Sequence, residues 1–297
     1  MTLQLLINGI SLGSVYALVA VGFALIFNIL KFSNFSHGGL MSVTAYIGYV
    51  ASIFLVRYIH ALPLFVATLL AAALGGGLLA LVVERVAFRR LRESGSSVIY
   101  YFISSITMGI LMENSITIFA SSNFYSYPPF FPAWTIRLFG ALTIAVPDLL
   151  TLCFSASALV ILLVVLFRTK IGLAIRCTSF DTGTAKLMGM DPNRVVAAAF
   201  FASGVMGGVA GVFLGINYTL YPQLGQLIVK GFVASVIGGL GSISGALIGA
   251  VLLGVVEIIL IDLVGAGWSP VFIFVIMLIF LLLRPRGISG LIVQEKA

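Results

Sequence analysis

Charge is what this sequence has least of. Asp, Glu, Lys and Arg make up 8% of its 297 residues, where soluble domains carry roughly 25%. A water-facing globular fold is excluded. Histidine is down to two residues, His37 and His60, and cysteine to two, Cys153 and Cys177. They supply no zinc or haem spacing. A membrane-embedded enzyme would need a Ser-His-Asp set or metal ligands at one membrane level, and the sequence offers neither. Cys153 falls in an apolar span and Cys177 in a basic loop, which argues against a disulfide. No Gly-x4-Gly-Lys-Ser/Thr loop occurs to grip a nucleotide phosphate. No basic residue precedes the first apolar run, and that run is too long for a signal peptide, so it reads as a retained transmembrane helix.

What is abundant is apolar surface and glycine. The chain is 61% hydrophobic and carries 32 glycines, well above the usual share of about 7%. Glycine inside apolar segments lets helices pack closely on helices. Spans of suitable length run over Leu3–Ile29, Gly38–Val56, Leu62–Val83, Val98–Ala120, Pro147–Phe167, Val195–Ile216 and Trp268–Leu283. Between the last two, Ile228–Gly239 reads as a short or half helix and Ala246–Ile261 as its return. The expected fold is all-α: a polytopic membrane helical bundle of about eight or nine spans, one of them broken near 228–245. It forms a single domain over 1–297. Ser269-Pro270 and Asp191-Pro192 each pair an N-cap residue with Pro at the first helical position. Arg284-Pro285 ends the last helix.

The net charge of +7 is not a nucleic-acid signal. The basic residues gather at Arg85–Arg92, at Arg168–Arg194, and at Arg284 and Arg286. Under the positive-inside rule these loops face the cytoplasm, which places the N-terminus outside and the C-terminus inside. Anionic membrane lipid fits the same face. The aromatics and prolines of Asn123–Trp134 suit a membrane–water interface.

Gly238, Gly239, Gly241 and Ser242 interrupt an apolar run with more small residues than packing needs. Such breaks line substrate paths, or let helices pack closely through small residues. Asn34 and His37 flank a similar break, and both breaks precede helices of like direction, as in related half-domains. Asn8, Ser11 and Ser14 share roughly one face of the first span; they line the path or bond neighbouring helices. Glu113 lies within a span near its outer end. It contacts a substrate ammonium or another permease residue, or it reaches water or pairs with a basic residue near the interface, which the shallow depth favours. Glu257 suits a structural hydrogen bond, and Lys230 is expected to snorkel to the outer interface.

The loop 168–195 holds a short helix with Asp181 as N-cap, Thr184 and Ala185 within it and Gly189 at its end. Ala185 and Gly189, four apart, would form a small smooth face for a partner's groove. Arg176-x4-Asp181-x3-Ala185-x3-Gly189 resembles the coupling loop of ABC importer permeases. Asn8–Leu18, Asn34–Gly38, Glu84-Arg85-x3-Arg89, Lys230–Phe232, Gly238–Ser242 and Arg284–Gly287 are similar, in the same order, to signatures of the permeases of branched-chain amino acid ABC transporters. The matches run from end to end. Three departures stand out: Thr184-Ala185-Lys186 lacks the second Ala that family often has beside the loop Ala, Cys177 follows Arg176 where it commonly has Ala, and Glu113 stands where it tends to carry a neutral amide.

The resemblance implies a bacterial inner-membrane subunit without its own ATPase. Separate cytoplasmic ATPase subunits would bind ATP and Mg and dock on Arg176–Gly189, leaving this chain no cofactor. A second homologous permease would complete the pair, and an extracytoplasmic binding protein would deliver substrate. Branched-chain or other small hydrophobic amino acids would then move inward by alternating access. Relatives that carry urea and amides leave the substrate open. An ion-coupled secondary transporter would instead need Glu113 or Glu257 as its ion site.

Overall fold

The computed structural model describes residues 2–130, 135–138, 142–285 and 287–289. Met1, Phe131 to Trp134 of the expected interfacial loop, and Arg286 of the expected basic face lie outside the described residues. Helices α1 (Thr2–Leu30), α2 (Ser36–Leu55) and α3 (Ala61–Val83) come first. A π-helical turn, Glu84–Phe88, leads into α4 (Arg89–Glu93), and α5 (Val98–Ala120) follows. A two-stranded antiparallel hairpin, β1 (Thr135–Leu138) and β2 (Leu142–Ala145), precedes α6 (Val146–Arg168). Two short helices, α7 (Lys170–Phe180) and α8 (Thr182–Leu187), form the long loop. Then come α9 (Pro192–Tyr218), a 3-10 segment (Pro222–Leu227), α10 (Ile228–Gly238), α11 (Ile243–Val264) and α12 (Ser269–Leu283).

Among the described residues, seven helices are long and apolar enough to cross a membrane. The shorter α12 has 15 residues and the half-helix α10 has 11. The expected polytopic all-α bundle is therefore the observed one. The hairpin was not anticipated; Thr135, Ile136, Thr143 and Ile144 are β-branched residues suited to pleated pairing. Four α-helices carry Pro in their first turn: Pro63 in α3, Pro147 in α6, Pro192 in α9 and Pro270 in α12. Asp191 caps α9 through a 2.9 Å bond from the Asn193 amide. Ser269 does not cap α12: the helix begins at Ser269 itself, so Trp268 takes the N-cap position and the Ser269 hydroxyl has no partner.

Helix α1 presents apolar residues on every side, as a helix largely surrounded by others does, with Asn8, Ser11 and Ser14 as a short polar row near its start. Val15–Val21 and Phe23–Ile26 are buried. Antiparallel α11 lies along it, with Gly9 and Gly13 set against Val255 and Val251, and Gly254 against Gly13. A second glycine seam joins α3 to α9: a Cβ on Gly204 would lie 2.5 Å from that of Ala80, and one on Gly208 2.9 Å from the Ala73 Cα. Without a hydrophobic drive between helices in lipid, such close backbone approach supplies much of the packing energy. Helix α2 packs against α3, α9 and α5.

The loop after α5 folds back onto the bundle. Tyr125 and Leu220 exchange backbone hydrogen bonds of 3.0 and 2.8 Å. The Tyr127 hydroxyl donates to the Ala45 carbonyl at 2.7 Å. Burial raises the Tyr127 phenol well above its usual range, so it stays a donor.

Candidate functional site

Asn34, His37 and the break between α1 and α2 lie inside the bundle. The Asn34 carboxamide oxygen accepts from the Ser36 amide at 3.2 Å and its hydroxyl at 2.7 Å, which holds the start of α2. Ser203 of α9 donates its one proton to the Gly22 carbonyl at 2.8 Å. The 3.3 Å contact from Ser203 Oγ to His37 Nδ1 then takes the ring N–H as donor, and Nε2 is left without a partner. Gly22 and Gly207 make room for the ring. Gly38 packs on the backbone of Gly225, whose amide donates to Ser42 Oγ at 2.7 Å.

Gly239 and Gly241 adopt φ of 111° and 85°, which only glycine enters freely. They form the bend between α10 and α11, where sequence placed it. Ser242 caps α11, accepting from the Gly245 amide at 3.1 Å. The carbonyls of Ile237 and Gly238 are answered by the amides of Ile288 and Ser289 at 3.0 and 2.9 Å. The final described residues thus cover the break. Gly241 also approaches Phe27 and Asn28, so both breaks sit near one end of α1. Ser11 and Ser14 face α6: Ser11 donates to the Asp148 carbonyl at 3.2 Å, and Ser155 to Ser14 Oγ at 2.7 Å. Asn8 accepts from Gln4 at 3.0 Å.

A buried polar group that sequence did not assemble lies between α1, α9, α10 and α11. Lys230 Nζ donates to Glu257 Oε1 at 2.5 Å and to the Tyr16 hydroxyl at 2.8 Å. The Tyr16 and Tyr218 hydroxyls are 3.0 Å apart, and both rings lie under the ammonium, at 5.2 and 5.5 Å from their centroids. Side-chain exposure is 18% for Lys230 and 4% for Glu257. Lys230 therefore does not snorkel outward. Its helix begins beside Tyr16, and the ammonium is held by Glu257 and two tyrosines. Glu113 on α5 takes a side-chain hydrogen bond from Gln226 of the 3-10 segment. Tyr221 lies within electrostatic reach of both Lys230 and Glu113; burial raises its phenol, with Lys230 acting against the shift.

At the other end, Asp181 caps α8 through bonds from the Gly183 and Thr184 amides, at 2.8 and 3.1 Å. The Thr184 hydroxyl adds a third at 2.6 Å. Gly189 follows the helix at φ 82°. Ala185 is buried, so it shares no exposed face with Gly189. Large apolar side chains are exposed there, Phe180, Leu187 and Met188, beside the exposed Asp181, Thr182, Thr184 and Lys186. Arg176 lies over the Phe167 ring at 5.2 Å. The end of this loop is tied to α4, because Arg92 Nε and Nη2 donate to Asn193 Oδ1 at 2.9 and 2.8 Å and Nη2 reaches Glu84 at 2.5 Å.

Two broken segments meeting around a central helix, with a capped loop helix presented at one end, define a multi-pass membrane protein. Its sequence then places it among known proteins. Residues 5–281 match the family described as branched-chain amino acid transport system / permease component, and the chain belongs to that family. It is 33% identical over 99% of its length, and 97% of the relative's, to the high-affinity branched-chain amino acid transport system permease protein BraD of Pseudomonas aeruginosa. The corresponding LivH protein of Escherichia coli is 30% identical over 99% of this chain and 97% of that one. Among solved structures, an inward-facing putative metal-chelate type ABC transporter shares the fold at a TM-score of 0.51 and 16% identity, covering 95% of this chain and 84% of that one.

Proposed function

We propose that this chain is a membrane-spanning half of an ATP-driven importer for branched-chain or other small hydrophobic amino acids. The observation that carries the reading is the end-to-end likeness to BraD and LivH. Separate ATPase subunits bind ATP and Mg and dock on the loop around Arg176, Asp181, Thr184, Ala185 and Gly189. The exposed Phe180, Leu187 and Met188 give that dock its apolar contact. A second homologous permease and an extracytoplasmic binding protein complete the transporter. The subunit sits in the bacterial inner membrane as one domain, N-terminus outside and C-terminus inside, as the basic loops indicate.

ATP-driven motion of α7 and α8 rocks the bundle, and alternating access carries the substrate past the two breaks. Asn34, His37, Gly241 and Ser242 lie beside that route; Gly238 and Gly239 shape the bend, Ser11 ties α1 to α6, and Asn8 bonds Gln4 within α1. Glu257 is already in an ion pair with Lys230, which speaks against its use as a proton or sodium site. The test is ATP hydrolysis in proteoliposomes by this chain with its ATPase, second permease and binding protein. Leucine, isoleucine or valine is expected to stimulate hydrolysis. Stimulation by urea or an amide alone sinks the amino-acid assignment.

A further inference from the structure

Glu113 is a half-buried carboxylate on a membrane helix, and among the described residues no cation pairs with it. Its side-chain hydrogen bond comes from the neutral amide of Gln226. A charge in such a place is costly unless something answers it. Lys230 follows Gln226 by four residues, and Leu227 and Ile228 between them are helical. Gln226 and Lys230 therefore share a face about one turn apart, roughly 6 Å. This turn holds a carboxylate at one end and an ammonium at the other. Lys230 has three N–H donors, of which Glu257 and Tyr16 take two. Glu257 fixes the ammonium in place without using its last proton.

We infer that Glu113 and Lys230 form a subsite for the charged ends of a zwitterionic α-amino acid, the ammonium on Glu113 and the carboxylate on Lys230, with Tyr221 between them. The inference rests on the amino-acid reading above and adds to it where and how the permease holds its cargo. The substrate ammonium supplies the cation that Glu113 lacks. Its carboxylate takes the third Lys230 proton and hydroxyl protons from Tyr218 and Tyr221. A polar molecule without separated charges, such as urea, gains nothing from this pair. Each held end is a charge-assisted bond, strong enough to orient the substrate in transit.

The experiment is L-leucine uptake by the complete transporter in proteoliposomes, with ATP hydrolysis measured in the same vesicles. Two variants are compared with the unaltered protein: Glu113→Gln, and the double change Lys230→Met with Glu257→Met. The double change replaces the buried pair by apolar side chains of similar size, which proteins often accept without loss of fold. For either variant, leucine carried per ATP hydrolysed is expected to fall about tenfold. A purely structural role would lower uptake and hydrolysis together and leave that ratio unmoved. An unmoved ratio in both variants overturns the subsite while leaving the amino-acid function standing. If the unaltered transporter carries none of leucine, isoleucine and valine, the function and the subsite fall together.

Discussion

Arg92 and Asn193, 101 positions apart in sequence, are joined by two hydrogen bonds of 2.9 and 2.8 Å to one carboxamide oxygen. The same guanidinium reaches the buried Glu84 at 2.5 Å. The loop carrying α8 thus ends on the polar link that anchors α3 and α4. Arg92→Leu is expected to destabilise the protein by about 3–5 kcal/mol, because it strands the Glu84 carboxylate. Arg92→Lys keeps a cation for Glu84 but loses the planar fork to Asn193. That variant should fold and hydrolyse ATP while moving less substrate per ATP. Thermal unfolding in detergent checks the first expectation, and the uptake-to-hydrolysis ratio checks the second.

The exposed apolar side of α8 makes a sharper target than its small residues. Leu187→Glu puts a charge on a side chain that is 89% exposed, so the fold should be untouched. Association with the ATPase subunits should be lost. Co-purification at wild-type yield would remove Leu187 from the docking surface.

Asp181→Ala deletes the side-chain bonds to two amides and a hydroxyl. Caps of this kind are worth about 1 kcal/mol, enough to fray a helix as short as α8. Asp181→Asn keeps an amide-accepting oxygen and should retain most of the coupling. Transport by the two variants separates a lost cap from a lost charge.

Gly189 sits at φ 82° with nothing within 4 Å of a built Cβ. Gly189→Arg therefore strains the backbone locally and adds charge beside the dock without touching the bundle. Uncoupled ATP hydrolysis in a normally inserted protein is the expected result. Normal uptake with normal ATPase association would argue against this loop as the coupling element.

Glu257→Ala leaves the Lys230 ammonium between helices with only tyrosines for company. A loss of about 3–5 kcal/mol is expected. The double change to methionines should restore most of it, since no charge is then left unpaired. Unfolding of the three proteins in one detergent compares them directly.

Much of the bundle was legible because membrane spans announce themselves by length and apolarity. Asp181, Gly189 and the bend at Gly239–Ser242 were legible because capping and positive φ need particular residue types. The Lys230–Glu257 pair was not. It joins α10 to α11 across a bend whose direction no periodicity records, so Lys230 alone suggested an escape to the interface and Glu257 alone a structural hydrogen bond with no named donor. The burial of Ala185 was missed for a related reason: a six-residue helix has too few positions to reveal which side faces its neighbours. The cover supplied by Ile288 and Ser289 had no local signal at all, since backbone amides carry none.

The partnership of α1 with α11 has a consequence for how the protein is made. Helix α1 leaves the ribosome long before α11 and meets that neighbour only after the helices between them have been synthesised. Until then, the glycine stripe around Gly9 and Gly13 has no permanent tenant. The early spans must wait in the membrane or at the insertion machinery, with that stripe unfilled. Biogenesis therefore closes the bundle as a late, concerted event, and a chain released short of α11 has no way to finish it.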